Sequence, residues 1–232
     1  MNRYALVLEN ADGVAEDGSA RQWLTLHALL QQRQNLAAAD VPWILRTMRT
    51  IASAIQLLHA RGLVLGDCRP RNWVTAELSA ALEPGADIDA PLEQRQPLSD
   101  APAGLWKLLL CDAVTEEGEL MSGRFCSGYA PPESRLLPAE RTSDVNLAAA
   151  KSYDVWSFGV LSYELITGST LFSLDIHDAI EREGDLQRLR NWRGLSHSEM
   201  RKCAQLLHQD PCCRSIQIHT YSILYIPLVA HI

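Results

Sequence analysis

The sequence feature that most limits the possible folds is the segment Tyr153–Gly168, which reads YDVWSFGVLSYELITG. Apolar residues occur on almost every side of a helix drawn through Tyr153–Thr167, instead of along one stripe. A helix of this kind is stable in water only when other elements surround it. The segment therefore predicts a buried central helix, and Gly168 is a typical residue for its C-terminal end.

The other elements follow from shorter patterns. Residues Leu45–His59 carry the clearest amphipathic helical spacing, and Gly62 is a suitable stop. We interpret His59, on the buried side of this helix, as a core histidine and not as a base. The whole pattern indicates an α+β fold that is mainly helical. An earlier helix is predicted with Ser19 as its cap and with an apolar face formed by Trp23, Leu24, Leu26, Leu29 and Leu30. Weaker helices are predicted around Ile176–Arg190 and Ser198–His208.

Short apolar runs predict the strands. Tyr4–Glu9 is expected to be a buried strand that ends at the turn signal NADG. The runs LVL and NWVT are strand candidates on either side of the segment LGDCRPRN, and LWKLLLCD is a third. We therefore expect short β pairs around LGDCRPRN.

Composition excludes several classes of function. The 232 residues have a net charge of −7 and contain no long cluster of Lys and Arg, so a nucleic-acid partner is not expected. Six cysteines without CxxC spacing indicate reduced thiols and a cytoplasmic location. No apolar run is long enough to span a membrane, so no membrane partner is expected.

Four residues could carry out phosphoryl transfer, which requires a carboxylate for the hydroxyl proton, a cation beside the phosphate and oxygen ligands for Mg²⁺. Asp67 would be the carboxylate, Arg69 the cation and Asn72 one oxygen ligand. Asp112, which ends the run LWKLLLCD, would be the main Mg²⁺ ligand. The alternative is that Asp67 and Asn72 only form a turn, since both residue types favour turns.

The segments LGDCRPRN, CDAV, YAPPE, YDVWSFGVLSYELITG and LLHQDPCCRS follow one another along the chain. In this order they resemble the catalytic loop, the metal-binding motif, the end of the activation segment, the central helix and the late Asp-Pro-x-x-Arg element of a eukaryotic protein kinase domain, in its C-terminal lobe. Small-molecule phosphotransferases of the aminoglycoside type share only a loop like LGDCRPRN and a later Asp. They lack the APPE and DVWSFG pair.

The resemblance implies a domain organisation. Residues 1–215 would form the hinge and C-terminal lobe of a partial kinase domain, with Tyr4–Glu9 as one remnant strand of the N-terminal lobe. Residues 76–105, which contain six acidic residues and one Arg, would be a solvated insertion or a docking site. Residues 216–232 are an atypical tail of β-type composition, which indicates a wrong exon boundary, or else a real edge strand or a partner contact.

The resemblance also implies roles for individual residues. The cofactors would be ATP and Mg²⁺, with Leu8 as gatekeeper and with the backbone of Glu9 and Ala11 facing adenine. Val74 would form the floor of the adenine pocket. The Pro in DCRPRN is closer to the pattern of Ser/Thr kinases, so the implied activity is ATP-dependent phosphorylation of Ser or Thr in a protein substrate.

Three further residues would be structural by the same resemblance. Glu133 would form a buried ion pair with Arg214, which ties the activation segment to the late helices. Asp154 would accept hydrogen bonds from backbone N–H groups of the Leu65–Asp67 turn and so support the catalytic loop.

The chain departs from the family pattern at several positions. Leu65 and Gly66 replace the usual His and Arg, so activation by phosphorylation of the loop is not expected. Arg69 replaces the usual Lys, and Arg and Lys are not equivalent at a phosphate. Val114 replaces the Gly of the Asp-Phe-Gly motif. Phe125 and Cys126 stand where Gly and Thr are usual.

The N-terminal lobe is mostly absent from these residues. No Gly-rich loop and no phosphate-anchoring Lys precede the hinge, which indicates either a fragment, or mis-started gene model, or a lobe that is truly missing. We therefore expect the chain to be inactive alone. The alternative function is that of a divergent pseudokinase, a module that binds or scaffolds a protein partner.

Overall fold

The computed structural model describes residues 24–32, 41–75, 106–108, 113–121, 128–135 and 147–207. Several predicted features lie outside the described residues. They are the strand Tyr4–Glu9, the cap Ser19, the 76–105 insertion and the 216–232 tail.

The helix α3, Lys151–Thr167, is the centre of the helical packing. Its buried positions run from Tyr153 to Ile166 and include polar as well as apolar side chains. The helices α2 and α5, whose bounds are given below, pack against it. At its end Gly168 adopts a left-handed backbone with φ of 65°, and its N–H donates to Glu164 O at 2.8 Å. The predicted buried helix and its glycine stop are confirmed.

Two amphipathic helices lie beside α3. The helix α2, Val41–His59, buries an apolar face that includes Ile44, Ile51 and Ile55, and the turn after it ends at Gly62 with φ of 71°. The helix α5, His197–Leu207, begins within one residue of the predicted start. The helix α2 buries one face, as its spacing predicts.

Two predicted helices begin later than expected. Leu24 belongs to the strand β1, Leu24–Thr25, so α1 spans only Leu26–Gln32, and Thr25 Oγ1 accepts a hydrogen bond from Ala28 N at 3.1 Å. The predicted helix around Ile176–Arg190 is wrong in its first part, because α4 spans only Glu183–Arg190. Residues 173–181 instead form a turn that a bridge between Leu174 and Ile180 closes.

Short antiparallel strands surround the segment between residues 64 and 73. The strand β3, Trp73–Thr75, pairs with β1 on one side and with β4, Lys107–Leu108, on the other. The strand β2, Leu63–Val64, pairs with β5, Thr115–Glu116. These pairs confirm the predicted strands LVL and NWVT and the mainly helical α+β class, whereas only residues 106–108 of LWKLLLCD are described.

The core lies between α1, α2, α3 and α5. It includes Leu26, Ile51, Leu161 and Leu165, and a smaller cluster joins Val64 of β2 to Met121, Ala149 and Tyr153. None of the helices in the described part of the chain is both long and apolar enough to cross a bilayer.

Candidate active site

The candidate site is the loop between β2 and β3. It ends in a single 3-10 turn, Pro70–Asn72, and Pro70 suits the first position of that turn because it has no N–H to satisfy. Asn72 Nδ2 donates to Asp67 O at 3.0 Å and so closes the loop on itself. The sequence order Asp-Cys-Arg-Pro-Arg-Asn therefore becomes a compact loop with Asp67 and Asn72 at its two ends.

Asp154, in the first turn of α3, holds the start of this loop. Its carboxylate accepts hydrogen bonds from Leu65 N at 2.7 Å and from Gly66 N at 2.8 Å. The predicted contact is thus present at these two residues. His59 Nε2 lies 2.8 Å from Asp154 Oδ2, a contact that sequence reasoning missed. The three contacts satisfy a carboxylate that has no solvent exposure.

Gly66 is required by both its backbone and its surroundings. Its φ is 78°, a left-handed conformation that side chains with a Cβ rarely adopt. A Cβ at this position would lie 2.9 Å from Ala113 O and 2.9 Å from Met121 Cε. The loop therefore has no room for an arginine side chain at this position.

Asp67 and Arg69 form an ion pair within the loop. Arg69 Nε lies 3.1 Å from Asp67 Oδ2, and both side chains are mostly but not fully buried. Arg69 Nη1 also lies 3.5 Å from Asp178 Oδ2, and Arg71 Nε lies 2.8 Å from the same oxygen. The structure thus brings a second carboxylate to the loop, one that sequence reasoning missed because no motif marks Asp178.

Asn72 has the property expected of a metal ligand. Its side-chain Oδ1 is buried and accepts no hydrogen bond from any described residue, although buried amide oxygens normally have a partner. An amide oxygen is a ligand that Mg²⁺ accepts. The residue therefore fits a divalent cation, whereas Asp112, the predicted main ligand, lies outside the described residues.

The predicted ATP contacts are described only in part. Val74 is buried in the middle of β3, where it pairs with Thr25 and Lys107. Leu8, Glu9 and Ala11 lie outside the described residues. Their predicted roles, and that of Val74, stay predictions.

The segment around YAPPE is held by α3. Ser157 Oγ donates to Tyr129 O at 2.8 Å, and the Tyr129 hydroxyl donates to Glu164 Oε2 at 2.5 Å. Burial raises the pKa of the Glu164 carboxyl to about 7. Glu133 lies half-buried in the following 3-10 turn, Pro132–Arg135, and its predicted partner Arg214 lies outside the described residues, as do Phe125 and Cys126.

Cys68, between Asp67 and Arg69, points away from solvent. It is fully buried, and burial together with the nearby Asp154 charge raises the pKa of its thiol well above the usual range. Cys68 is therefore a packing residue and not a nucleophile.

Comparison with known proteins supports a protein-kinase-like relationship. The chain is 31% identical over 173 residues to the calcium/calmodulin-dependent protein kinase cmkA of Emericella nidulans, a match that covers 73% of this chain and 35% of that kinase. The chain thus spans about a third of the length of the relative that it matches. No protein-family model matches the chain. The similarity thus relates the chain to kinases, which are transferases.

Proposed function

We propose that the chain is a protein-kinase C-terminal lobe whose parent activity is ATP-dependent phosphorylation of Ser or Thr in a protein. The observation that carries this proposal is the loop between β2 and β3. Asp67 and Arg69 lie 3.1 Å apart in it, and Asp154 fixes its backbone from below. The similarity to a protein kinase supports the same reading.

The side chains have separate tasks in this proposal. Asp67 accepts or orients the proton of the substrate hydroxyl, and Arg69 offsets charge on the transferring phosphate. Asn72 and Asp112 would hold Mg²⁺, which neutralises charge on the ATP phosphates when it is bound. The proposed partner is a protein substrate in the cytoplasm, and neither a nucleic acid nor a membrane is proposed.

The adenine contacts belong to the same proposal. Leu8, Glu9 and Ala11 would line the hinge side of the ATP pocket, and Val74 would form its floor. Glu133 and Arg214 would pair to hold the segment that follows the catalytic loop.

A second candidate is a pseudokinase that binds a protein partner without phosphotransfer. The observation that favours it is the ion pair between Arg69 and Asp178, which already engages the cation that a phosphate would need. Val114, in place of a flexible glycine, favours it as well.

Two measurements on the 232-residue chain test these alternatives. We expect Mg·ATP to raise the melting temperature, because a ligand that binds only the folded state stabilises it. The variant Asn72→Ala should lose the part of this increase that depends on Mg²⁺, whereas Gln187→Ala, on the exposed side of α4, should not. The absence of any shift in wild type would contradict nucleotide binding and favour the second candidate.

Phosphotransfer is tested with radiolabelled Mg·ATP and a mixture of Ser and Thr peptides. We expect no label transfer from this chain alone. Label transfer that disappears in Asp67→Ala would show that the chain is an active kinase and that the expected inactivity is wrong.

A further inference from the structure

The turn 173–181 is a preformed support beside the candidate site. Asp175 N donates to Ala179 O at 2.8 Å, and Glu181 N donates to Ser173 O at 2.9 Å. The Asp175 side chain also accepts hydrogen bonds from His177 N and Ala179 N, both at 2.8 Å. Because its backbone groups bond within the turn, the turn holds its shape before it contacts anything else.

Asp178 points from this turn towards the catalytic loop. Its φ is 61°, a left-handed conformation that Asp tolerates better than most residues. Its N–H donates to Asp175 O at 3.0 Å, and its side chain is only 5% exposed. The conformation of the turn therefore fixes the direction of the carboxylate.

One oxygen of that carboxylate serves two guanidinium groups. Asp178 Oδ2 lies 2.8 Å from Arg71 Nε and 3.5 Å from Arg69 Nη1. Arg69 is thus held between Asp178 and Asp67. A long side chain with several rotatable bonds loses most of its freedom when two fixed carboxylates hold it.

The same turn lies directly against the segment that begins at Gly128. Gly128 N donates to Asp178 O at 3.1 Å. A Cβ at Gly128 would lie 2.7 Å from Asp178 O and 2.6 Å from Leu174 Cδ2, so the backbones approach as closely as glycine permits. Asp178 therefore lies at the junction of the catalytic loop and the YAPPE segment.

We propose that Asp178 is a positioning residue, which fixes the Arg69 guanidinium beside Asp67 and links this orientation to the YAPPE segment. The proposal rests on the proposed function in one respect: the direction of Arg69 matters for chemistry only if a phosphate binds there. A catalytic group must be held in a narrow range of positions, and its supporting residues provide that restriction.

The test uses the side-chain Nε–Hε signals of arginine in ¹⁵N NMR spectra of the 232-residue chain. The variant Arg69→Lys identifies the Arg69 signal by its loss. In Asp178→Asn we expect the Arg69 and Arg71 signals to shift and broaden, because both guanidinium groups lose their charged partner. The Arg188 signal should stay unchanged, since Glu199 holds Arg188 at 2.7 Å elsewhere in the fold.

Two further variants keep the test decisive. Glu117→Gln, which breaks the exposed pair between Glu117 and Lys151, should leave the Arg69 signal unchanged. Asp175→Ala changes an exposed residue and loosens the turn without removing Asp178, so it should shift the Arg69 signal in the same direction by a smaller amount. If Asp178→Asn does not fold, Asp175→Ala decides the question.

An unchanged Arg69 signal in folded Asp178→Asn, or in Asp175→Ala where the former does not fold, would overturn the proposal. Titration of wild type with Mg·ATP separates this result from the proposed function. If Mg·ATP leaves the Arg69 signal of wild type in place, the proposed role of Arg69 at a phosphate fails. The dependence of the Arg69 signal on Asp178 would still support the positioning role itself.

Discussion

Asp154 and Asp178 are two buried carboxylates that reach the same loop in different ways. Asp154 comes from α3 and accepts hydrogen bonds from the backbone N–H groups of Leu65 and Gly66. Asp178 comes from the turn 173–181 and pairs with the side chains of Arg69 and Arg71. The first fixes the path of the chain, and the second fixes the direction of a cation on it.

The two contacts differ in what their loss leaves behind. Leu65 and Gly66 are buried, so their N–H groups would lack a partner without Asp154. The Arg69 and Arg71 side chains are 25% and 39% exposed, so water can solvate their guanidinium groups if Asp178 is lost. The backbone contact should therefore matter more for stability, and the side-chain contact more for the geometry of the site.

The largest expected effect is that of Asp154→Ala. Breaking a buried charged contact that satisfies several donors typically costs about 3–5 kcal/mol of unfolding free energy. We expect a loss in this range in urea denaturation. Asp178→Asn is the control, because Asn tolerates the φ of 61° at this position, and the expected loss is about 1–2 kcal/mol because its partners regain water. Equal losses in the two variants would refute the distinction between the two carboxylates.

The second prediction concerns a third buried carboxylate, Glu164, which receives a hydrogen bond from the neutral hydroxyl of Tyr129. Burial raises its pKa from 4.5 to about 7, so the folded state binds a proton that the unfolded state releases. The folded protein should therefore lose stability as the pH rises from 4.5 to 7. Since one pH unit corresponds to about 1.4 kcal/mol, this loss is up to about 3 kcal/mol.

The variant Glu164→Gln should lack this loss, which unfolding experiments from about pH 3 to pH 8 can measure. Glu199 is the control with the opposite sign. Although burial opposes it, hydrogen bonds from Arg188 and Ser196 lower the pKa of Glu199, so its contribution is present above pH 4.5 and is lost on acidification. Parallel pH profiles for wild type and Glu164→Gln would contradict the prediction.

The third prediction isolates the close contact at Gly66. Gly62 and Gly66 have similar φ values of 71° and 78°, but only Gly66 has atoms within 3 Å of the position of a Cβ. Gly62→Ala should cost about 1 kcal/mol through the left-handed backbone alone. Gly66→Ala should cost about 2–3 kcal/mol, because the loop must also move away from Ala113. Thermal unfolding with equal losses would show that the surroundings of Gly66 adapt.

The smallest expected effect is that of Arg71→Ala. Arg71 is partly exposed, and Asp178 keeps its contact with Arg69 in this variant. Partly exposed ion pairs contribute about 0.5–1 kcal/mol or less, so the change in unfolding free energy should fall in that range. Raising the salt concentration should reduce the difference from wild type. A loss as large as that of Asp154→Ala would place Arg71 among the residues that hold the fold.

The sequence predicted the parts of the fold that local patterns specify. The helices α2 and α3 follow from spacing over many residues, and Gly62 and Gly168 are stops that single residues determine. The contact between Asp154 and the loop was implied by the resemblance of the motifs to those of protein kinases. Each of these features depends on one sequence segment with a recognisable pattern, or on two such segments.

Other features depend on contacts that local patterns do not record. Leu24 has the spacing of a helix, but pairing with Thr75 makes it a strand residue, because tertiary contacts override a weak propensity. The start of α4 at Glu183 is delayed by the turn around Asp175. The contact of Asp178 with Arg71 joins residues 107 positions apart, with no motif around Asp178 to suggest it.

The burial of Cys68 allows opening of the loop to be measured by chemical labelling. Only a thiolate attacks an alkylating reagent, and this thiol is both inaccessible and held in its neutral form. Alkylation of Cys68 therefore requires that the loop first separate from α3. The rate of that reaction in native conditions, measured by mass spectrometry, therefore reports how often the loop opens.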